Sequence, residues 1–199
     1  MRISELLNES EMLDEISRPS KMDDATRILY NAGYEQVGEG YYAEVFARPD
    51  DKYVLKLFDY RDAQYRKFVA MAMNNRNPHY PQFRGKLIKV AAEYYAVRME
   101  MLSPLSNTGA GWNSKSDVIR AITRYCWEYW NESCAPSAQK LLNPTSPEIT
   151  IDELEKHQPG IKQACKNIVD MLSNINQLDI HGDNVMMRGN VLVITDPVS

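Results

Sequence analysis

Cysteine is scarce in this sequence of 199 residues, and Cys126, Cys134 and Cys165 form no C-x-x-C pair. An odd number of widely spaced cysteines indicates neither a disulfide framework nor a thiolate zinc site, and it predicts a reducing compartment. Histidine is equally scarce: His79, His157 and His181 are far apart in the sequence. A histidine-rich metal centre is therefore not expected.

Long hydrophobic runs and an excess of positive charge are also missing. No apolar run approaches the roughly 18 residues that a membrane span needs, and the N-terminus is too acidic for a secretory signal. Lysine and arginine total 23 against 27 for aspartate and glutamate, a formal net charge of −4. Such a chain does not favour binding to a nucleic-acid backbone over a broad surface. A soluble, cytoplasmic protein without membrane or nucleic-acid partners is predicted.

The remaining composition is that of a globular protein, with 44% hydrophobic and 25% charged residues. Residues 1–18 have apolar side chains at roughly helical spacing, and Arg18-Pro19-Ser20 ends that pattern. We therefore predict an N-terminal helical tail or leader over residues 1–19.

In the rest of the chain, segments with the residue pattern of a strand are interspersed with segments that have the pattern of a helix. The predicted strands are 34–38, 44–48, 53–58, 84–91, 93–101 and 191–194, and the predicted helices are 62–74, 115–131 and 151–175. A loop is predicted at 103–112, and a connection rich in Pro, Ser and Asn at 135–149. This order predicts an α+β protein with a sheet lobe over residues 20–102 and a helical lobe over residues 103–199.

Two signals in the sheet lobe point to phosphate binding. Gly38, Gly40, Ala43 and Val45 lie between two predicted strands in the pattern G-x-G-x-x-A-x-V. Glycines there let backbone amides approach phosphate oxygens, although an ordinary hairpin gives the same pattern. Lys56 lies in the middle of an apolar strand, where its ammonium needs an anionic partner or a route to water. An edge strand with alternating faces is the alternative.

The strongest signal lies near the C-terminus. Asp179 and Asn184 are five residues apart on a loop that follows a helix, and Asp196 comes twelve residues later at the end of an apolar strand. Such oxygen-bearing side chains suit Mg²⁺, which takes few protein ligands and completes its shell with phosphate oxygens. A polar turn that caps a hairpin is the alternative interpretation.

These signals, in this order, resemble the protein-kinase-like superfamily, including its aminoglycoside and choline phosphotransferase branches. The resemblance runs from Tyr34 to the last residue. It implies a two-lobed α+β fold, with an antiparallel sheet and one helix in the N-terminal lobe and a truncated helical C-terminal lobe.

The resemblance also implies ATP and Mg²⁺ as cofactors and a role for each candidate residue. Gly38, Gly40, Ala43 and Val45 match the glycine-rich loop, Lys56 the phosphate-binding lysine, and Glu100 and Met101 the linker that binds adenine through its backbone. Asp179 matches the catalytic aspartate, and Asn184 and Asp196 match the metal ligands. The implied function is transfer of the γ-phosphate to a hydroxyl of a protein or a small molecule.

A competing register uses His181-Gly182-Asp183, the start of the small-molecule kinase loop. It makes Asp183 the base and places Arg188, which cannot bind a cation, at the asparagine position. The register through Asp179 and Asn184 satisfies both spacings and is preferred.

Several departures from the family pattern support an alternative function. The predicted helix 62–74 contains no glutamate to pair with Lys56, Gln177 replaces the usual histidine, and Pro197-Val198 replaces Phe-Gly. The alternative is a catalytically weak or inactive kinase-fold module that binds a nucleotide or a partner.

The segment from Met1 to Glu9, with Leu7-Asn8-Glu9, resembles the acidic leaders of tailed-phage head proteins that are clipped after Leu-x-Glu. This resemblance implies a phage origin, and then a location in the host cytoplasm or the virion.

Overall fold

A computed structural model describes residues 9–18, 22–49, 51–90, 93–105, 114–133 and 149–199. The chain divides into two compact units. The sheet unit consists of Met1–Ala63 and Gln82–Met101, and the helical unit consists of Gln64–Pro81 and Leu102–Ser199.

The sheet unit contains two helices and an antiparallel five-stranded sheet. Its elements are α1 (Glu9–Ser17), α2 (Met22–Asn31), β1 (Glu35–Gly40), β2 (Ala43–Ala47), β3 (Tyr53–Asp59), β4 (Phe83–Val90) and β5 (Tyr94–Glu100). The strand order is β1-β2-β3-β5-β4. These strands agree with the predicted ones to within two residues at either end.

The two faces of β3 have different surroundings because side chains alternate along a strand. Leu55 and Leu57 belong to a core cluster that also contains Met12 and Ile16 of α1. Lys56, which lies between them, therefore belongs to the opposite face of the sheet. One face is thus covered by α1 and α2, and the other carries the lysine.

Helix α2 was missed by the sequence analysis, although its C-terminus has a clear local signal. Gly33 has φ +82°, and its N–H donates to Tyr30 O at 3.0 Å while the Tyr34 N–H donates to Leu29 O at 3.0 Å. These two bonds are those of a Schellman motif, which requires a residue in the left-handed region. The glycine thus ends α2 and turns the chain into β1.

The tail or leader over residues 1–19 stays a prediction, and Leu7 and Asn8 lie outside the described residues. Within α1, Met12 and Ile16 are completely buried in the core of the sheet unit. Cleavage after Glu9 would leave both side chains in place, whereas separation at Pro19 would remove them from the core.

We expect Ile16→Ala to lower the free energy of unfolding by about 2–5 kcal/mol, because truncation of a buried isoleucine leaves a cavity. Chemical denaturation measures this loss, and Asp14→Ala on the exposed side of α1 serves as the control. An Ile16→Ala variant as stable as this control would show that α1 is dispensable for the core.

The helical unit combines helices with a small sheet. Its elements are α3 (Ala63–Met73, of which Ala63 falls in the sheet unit), β6 (Ser103–Pro104), α4 (Lys115–Ser133), α5 (Ile151–His157), α6 (Ile161–Met171), the 3-10 turn Ile175–Gln177, β7 (Val185–Arg188) and β8 (Val191–Ile194). The strand order is β6-β7-β8. No helix in the described part of the chain is long and apolar enough to cross a membrane.

The predicted helix 151–175 is wrong as a single element. Thr150 and Glu153 form a capping box at the start of α5, and Gly160, with φ +97°, separates α5 from α6. The Pro159-Gly160 dipeptide carries this break, because proline lacks an amide donor and glycine accepts the left-handed conformation. Strand β7 was also missed, since the sequence analysis assigned no strand between the loop of Asp179 and Asn184 and the strand 191–194.

Helix α3, which the sequence analysis placed in the sheet lobe, groups almost entirely with the helical unit. The segment that follows it is tied to distant parts of that unit by hydrogen bonds. The Tyr80 hydroxyl donates to Ala164 O at 3.2 Å, and the Ile194 N–H donates to His79 O at 2.9 Å. Both bonds join residues that are at least 84 positions apart in the sequence. Local sequence patterns do not reveal such contacts.

Candidate functional site

The register of the sheet aligns the phosphate-binding candidates of the sheet unit in one row. Gly38 pairs with Val45, Val45 pairs with Lys56, and Lys56 pairs with Val97. Directly opposite residues in antiparallel strands share a face. Gly38, Val45 and Lys56 therefore share the face of the sheet opposite to α1 and α2.

The backbone conformation does not require glycine at position 38 or at position 40. Both lie outside the left-handed region, and a Cβ atom on Gly38 would come no closer than 3.7 Å to Val45. On Gly40 the nearest atom would be Ala43 O at 3.9 Å. Because glycine weakens a strand by roughly 0.5–1 kcal/mol relative to alanine, these two positions fit the close approach of a ligand better than a need of the fold.

The opposite face of the same strand pair is acidic. Glu39 faces Glu44 across β1 and β2, and burial, followed by the nearby carboxylates of Glu39 and Asp23, raises the pKa of Glu44. An anionic ligand is repelled from this face. A phosphate is therefore expected only on the face that carries Gly38, Gly40 and Lys56.

Lys56 lies in the interior of the sheet, because β3 pairs with β2 on one side and β5 on the other. The alternative of an edge strand is thus wrong. The lysine is only 7% exposed, and a buried ammonium needs anionic or polar groups around it. This environment suits a lysine that binds a phosphate.

The segment proposed to bind adenine has its amide hydrogens engaged within the sheet unit. The Met101 N–H donates to Lys52 O at 2.9 Å, and the Glu100 N–H donates to Gln82 O at 3.0 Å. Glu100 also accepts a hydrogen bond from the Gln82 N–H through its side chain, at 2.8 Å. An adenine would therefore use the carbonyl oxygens of Glu100 and Met101, unless one of these bonds opens.

In the helical unit, three candidate residues from two segments converge at the open end of the β7–β8 hairpin. The Asp179 N–H donates to Pro197 O at 2.7 Å, and the Thr195 N–H donates to Asn184 O at 2.8 Å. Leu178 also forms a bridge with Val198. Asp179 thus lies opposite the residue that follows Asp196, and Asn184 lies opposite the one that precedes it.

Contacts of its amide nitrogen orient the side chain of Asn184. Its Nδ2 donates to Asp179 O at 2.7 Å and lies 2.9 Å from His181 Nε2. Because an amide nitrogen only donates, His181 Nε2 accepts this bond in the tautomer that carries its hydrogen on Nδ1. That tautomer excludes the alternative bond from the Asp183 N–H to Nδ1, at 3.3 Å. With both amide hydrogens directed at these acceptors, the Oδ1 atom is oriented for another role, such as binding a cation.

The two competing carboxylates differ in their surroundings. The side chain of Asp179 is 43% exposed and lies 3.8 Å from His181 Nε2, whereas that of Asp183 is 92% exposed. The Asp179 backbone is held on both sides, by Pro197 and by Asn184, as described above. A positioned but accessible carboxylate suits a base better than a fully solvated one.

Arg188, the residue at the asparagine position in the competing register, has a structural role. It donates from Nη1 to Pro78 O at 2.9 Å and from Nη2 to Tyr80 O at 2.9 Å. The guanidinium thereby holds the segment after α3 against the hairpin. This use of Arg188 favours the register through Asp179 and Asn184.

The donor set fits a magnesium ion that is bound together with phosphates. Asn184 offers an amide oxygen, and Asp196 a carboxylate of which Oδ1 is buried. Among the described residues, no group of three or more His, Cys, Asp or Glu is arranged to hold a metal by itself. Mg²⁺ commonly takes one or two protein oxygens together with substrate phosphates.

Sequence reasoning gave no role to the segment Asn77–Tyr80 and used His181 only as part of the loop pattern and as the start of the competing register. His181 is two residues beyond Asp179, and this spacing could have suggested a role in the same loop. His79 is buried, with Nδ1 2.7 Å from Leu192 O and Nε2 3.1 Å from Pro159 O. The sequence analysis gave this histidine no structural role, because its partners are distant in sequence.

Comparison with known proteins identifies the family. No curated protein sequence matches this chain. Among solved structures, a crystal structure of Rad53 residues 1–466 in complex with AMP-PNP matches with 14% sequence identity and a TM-score of 0.40. The match covers 88% of this chain and 42% of that one, so this chain spans less than half the length of its structural neighbour.

The model of one protein family, bacteriophage T7 protein kinase 0.7, matches residues 8–199. This match confirms the resemblance to protein kinases and the phage origin that the sequence implied. The α+β fold with an antiparallel sheet is confirmed as well. The chain belongs to the bacteriophage T7 protein kinase 0.7 family.

Proposed function

We propose that this chain is an ATP- and Mg²⁺-dependent phosphotransferase that moves the γ-phosphate to a hydroxyl of a protein or small-molecule acceptor. The observation that carries the proposal is the convergence of Asp179, Asn184 and Asp196 at one end of the β7–β8 hairpin. Membership of a kinase family supports it. The row of Gly38, Val45 and Lys56 in the sheet unit supplies the matching phosphate-binding elements.

Each residue has a physical task in this reaction. The acceptor oxygen attacks the γ-phosphorus, and the bond to the β–γ bridging oxygen breaks with its electron pair leaving on ADP. Asp179 accepts the proton of the acceptor hydroxyl. Lys56 binds nucleotide phosphates, and Gly38 and Gly40 let the backbone approach them. Asn184 and Asp196 would hold Mg²⁺, which offsets the negative charge on the transferring group.

A second function, a nucleotide-binding module without efficient transfer, is favoured by one observation. Helix α3 has the sequence AQYRKFVAMAM and contains no acidic residue. A carboxylate of this helix therefore cannot pair with Lys56, as the glutamate of active protein kinases does. The variants of Asp179 described in the Discussion separate the two functions.

Mg-ATP is expected to raise the melting temperature. A ligand that binds only the folded state at a hundredfold excess over its Kd adds about 2.7 kcal/mol, which is about 5–11 °C for a chain of this size. Asp196→Ala should remove the part of this shift that depends on magnesium. Differential scanning fluorimetry with ATP, in the presence and absence of Mg²⁺, measures both quantities.

The matched control is Asp51→Ala, which removes an exposed carboxylate and should leave the shift unchanged. A folded wild-type chain that shows no shift at millimolar Mg-ATP would contradict the proposed function.

A further inference from the structure

Lys115, the first residue of α4, extends over the loop that carries the candidate catalytic residues. Its side chain is 29% exposed, and its Nζ lies 3.9 Å from Asp183 Oδ1. A Cβ atom on Gly182 would be 2.6 Å from Lys115 Cε and 3.0 Å from Nζ. The lysine therefore passes directly over Gly182, in the space that any other residue there would fill.

The absence of a side chain at Gly182 permits this close approach of Lys115. The φ of Gly182 lies outside the left-handed region, so its backbone conformation is open to other residues. Contacts below 3.0 Å do not occur for real Cβ atoms, so a side chain at position 182 would force Lys115 to move. Gly182 thus allows the ammonium of Lys115 to reach the loop.

Stability does not explain the position of Lys115. An ion pair with a carboxylate that is 92% exposed contributes at most about 1 kcal/mol. A cation in the first turn of a helix is also unfavourable, because the helix dipole is positive there. The start of α4 already has a cap, since Ser114 Oγ accepts from the Asp117 N–H at 3.1 Å.

We propose that Lys115 binds an anionic group of the acceptor, a carboxylate or a phosphate, beside the catalytic loop. The inference rests on the proposed function. Asp183, the neighbour of the ammonium, is the most solvated carboxylate of this loop, so the pair faces molecules that arrive from solvent. The proposed function assigns Lys56, Asn184 and Asp196 to the nucleotide and its metal ion, and we therefore assign this additional cation to the acceptor.

The first experiment measures the charge preference for the acceptor. Two peptides with one serine, flanked by aspartates in the first and by lysines in the second, are compared for binding by calorimetry and for transfer of labelled phosphate. The wild-type chain should favour the acidic peptide by about tenfold in kcat/KM, mainly through KM, as expected for a charge-assisted contact. Lys115→Glu should reverse this preference.

Lys86→Glu is the matched control, because it makes the same charge change at an exposed position of β4. It should keep the preference for the acidic peptide. An unchanged preference in Lys115→Glu, or a wild-type chain that neither binds nor phosphorylates either peptide, would overturn the proposal.

A double-mutant cycle tests the geometric part of the argument. Gly182→Ala should reduce the preference for the acidic peptide in the wild-type chain, because the new methyl group displaces the end of Lys115. In the Lys115→Ala background the same substitution should have no effect on the preference. Equal effects of Gly182→Ala in both backgrounds would show that it acts through the loop and not through Lys115.

The inference and the proposed function can fail separately. A chain that binds the acidic peptide only with Lys115 present, but shows no Mg-ATP melting shift, retains the anion site and loses the assigned chemistry. A chain that binds and hydrolyses ATP without any charge preference retains the proposed function and loses this inference.

Discussion

Asp179→Asn is expected to lower the rate of phosphate transfer by about 10²–10⁴-fold, the usual contribution of a general base. The fold should tolerate the change, because the position is held by backbone groups. Its N–H donates to Pro197 O and its C=O accepts from Asn184 Nδ2, and neither bond uses the carboxylate. The Mg-ATP melting shift should therefore stay close to that of the wild-type chain.

Asp183→Asn is the matched control, since it removes the same charge from the same loop at a nearly fully exposed side chain. We measure phosphate transfer and ATP hydrolysis for both variants. Both rates should fall much less in Asp183→Asn than in Asp179→Asn. The reverse ranking would establish the register through His181-Gly182-Asp183. Equal background turnover in the wild-type chain and Asp179→Asn, with clear nucleotide binding, would establish the binding module.

Local patterns predicted the strands of the sheet unit well. The run from Tyr53 to Phe58 is apolar apart from Lys56 and has the β-branched and aromatic residues typical of a strand, and the structure extends it by one residue, to Asp59. The interior position of this strand was left open, because an edge and a central strand have similar sequences. Only the pairing with both β2 and β5 decides it.

The helical unit was predicted less well because its important contacts are long-range. Spacing placed Asp179 and Asn184 on one loop, but the bond from Asn184 Nδ2 to Asp179 O depends on the conformation of that loop. Lys115 and Gly182 are 67 residues apart, and no periodicity links them. Their contact follows from how α4 packs, which a single sequence does not encode in any local pattern.

Asn184 has two separable tasks, and two substitutions distinguish them. Asn184→Asp keeps an oxygen that can bind Mg²⁺ but replaces the donating nitrogen with an acceptor. This acceptor would face Asp179 O, at 2.7 Å from the present nitrogen, and the Nε2 atom of His181. Asn184→Ala removes both the oxygen and the nitrogen.

We expect Asn184→Asp to retain the magnesium-dependent part of the ATP melting shift while the rate of transfer falls about 10–100-fold. Loss of these hydrogen bonds costs about 1–3 kcal/mol, which corresponds to that range of rates, and it releases the backbone that positions Asp179. Asn184→Ala should lose the magnesium-dependent shift as well as the rate. Scanning fluorimetry and labelled-phosphate transfer on the two variants measure both effects.

Asn176→Asp, which adds the same charge at an exposed position of the 3-10 turn, controls for electrostatics and should transfer phosphate at nearly the wild-type rate. If Asn184→Asp lost the magnesium-dependent shift as completely as Asn184→Ala, its oxygen would not be a metal ligand of the kind proposed. If it transferred phosphate as fast as the wild-type chain, the bonds from its amide group would not position the base. The combination of retained metal binding and slow transfer is the result that the geometry predicts, because the same side chain orients Asp179 through nitrogen and holds the cation through oxygen.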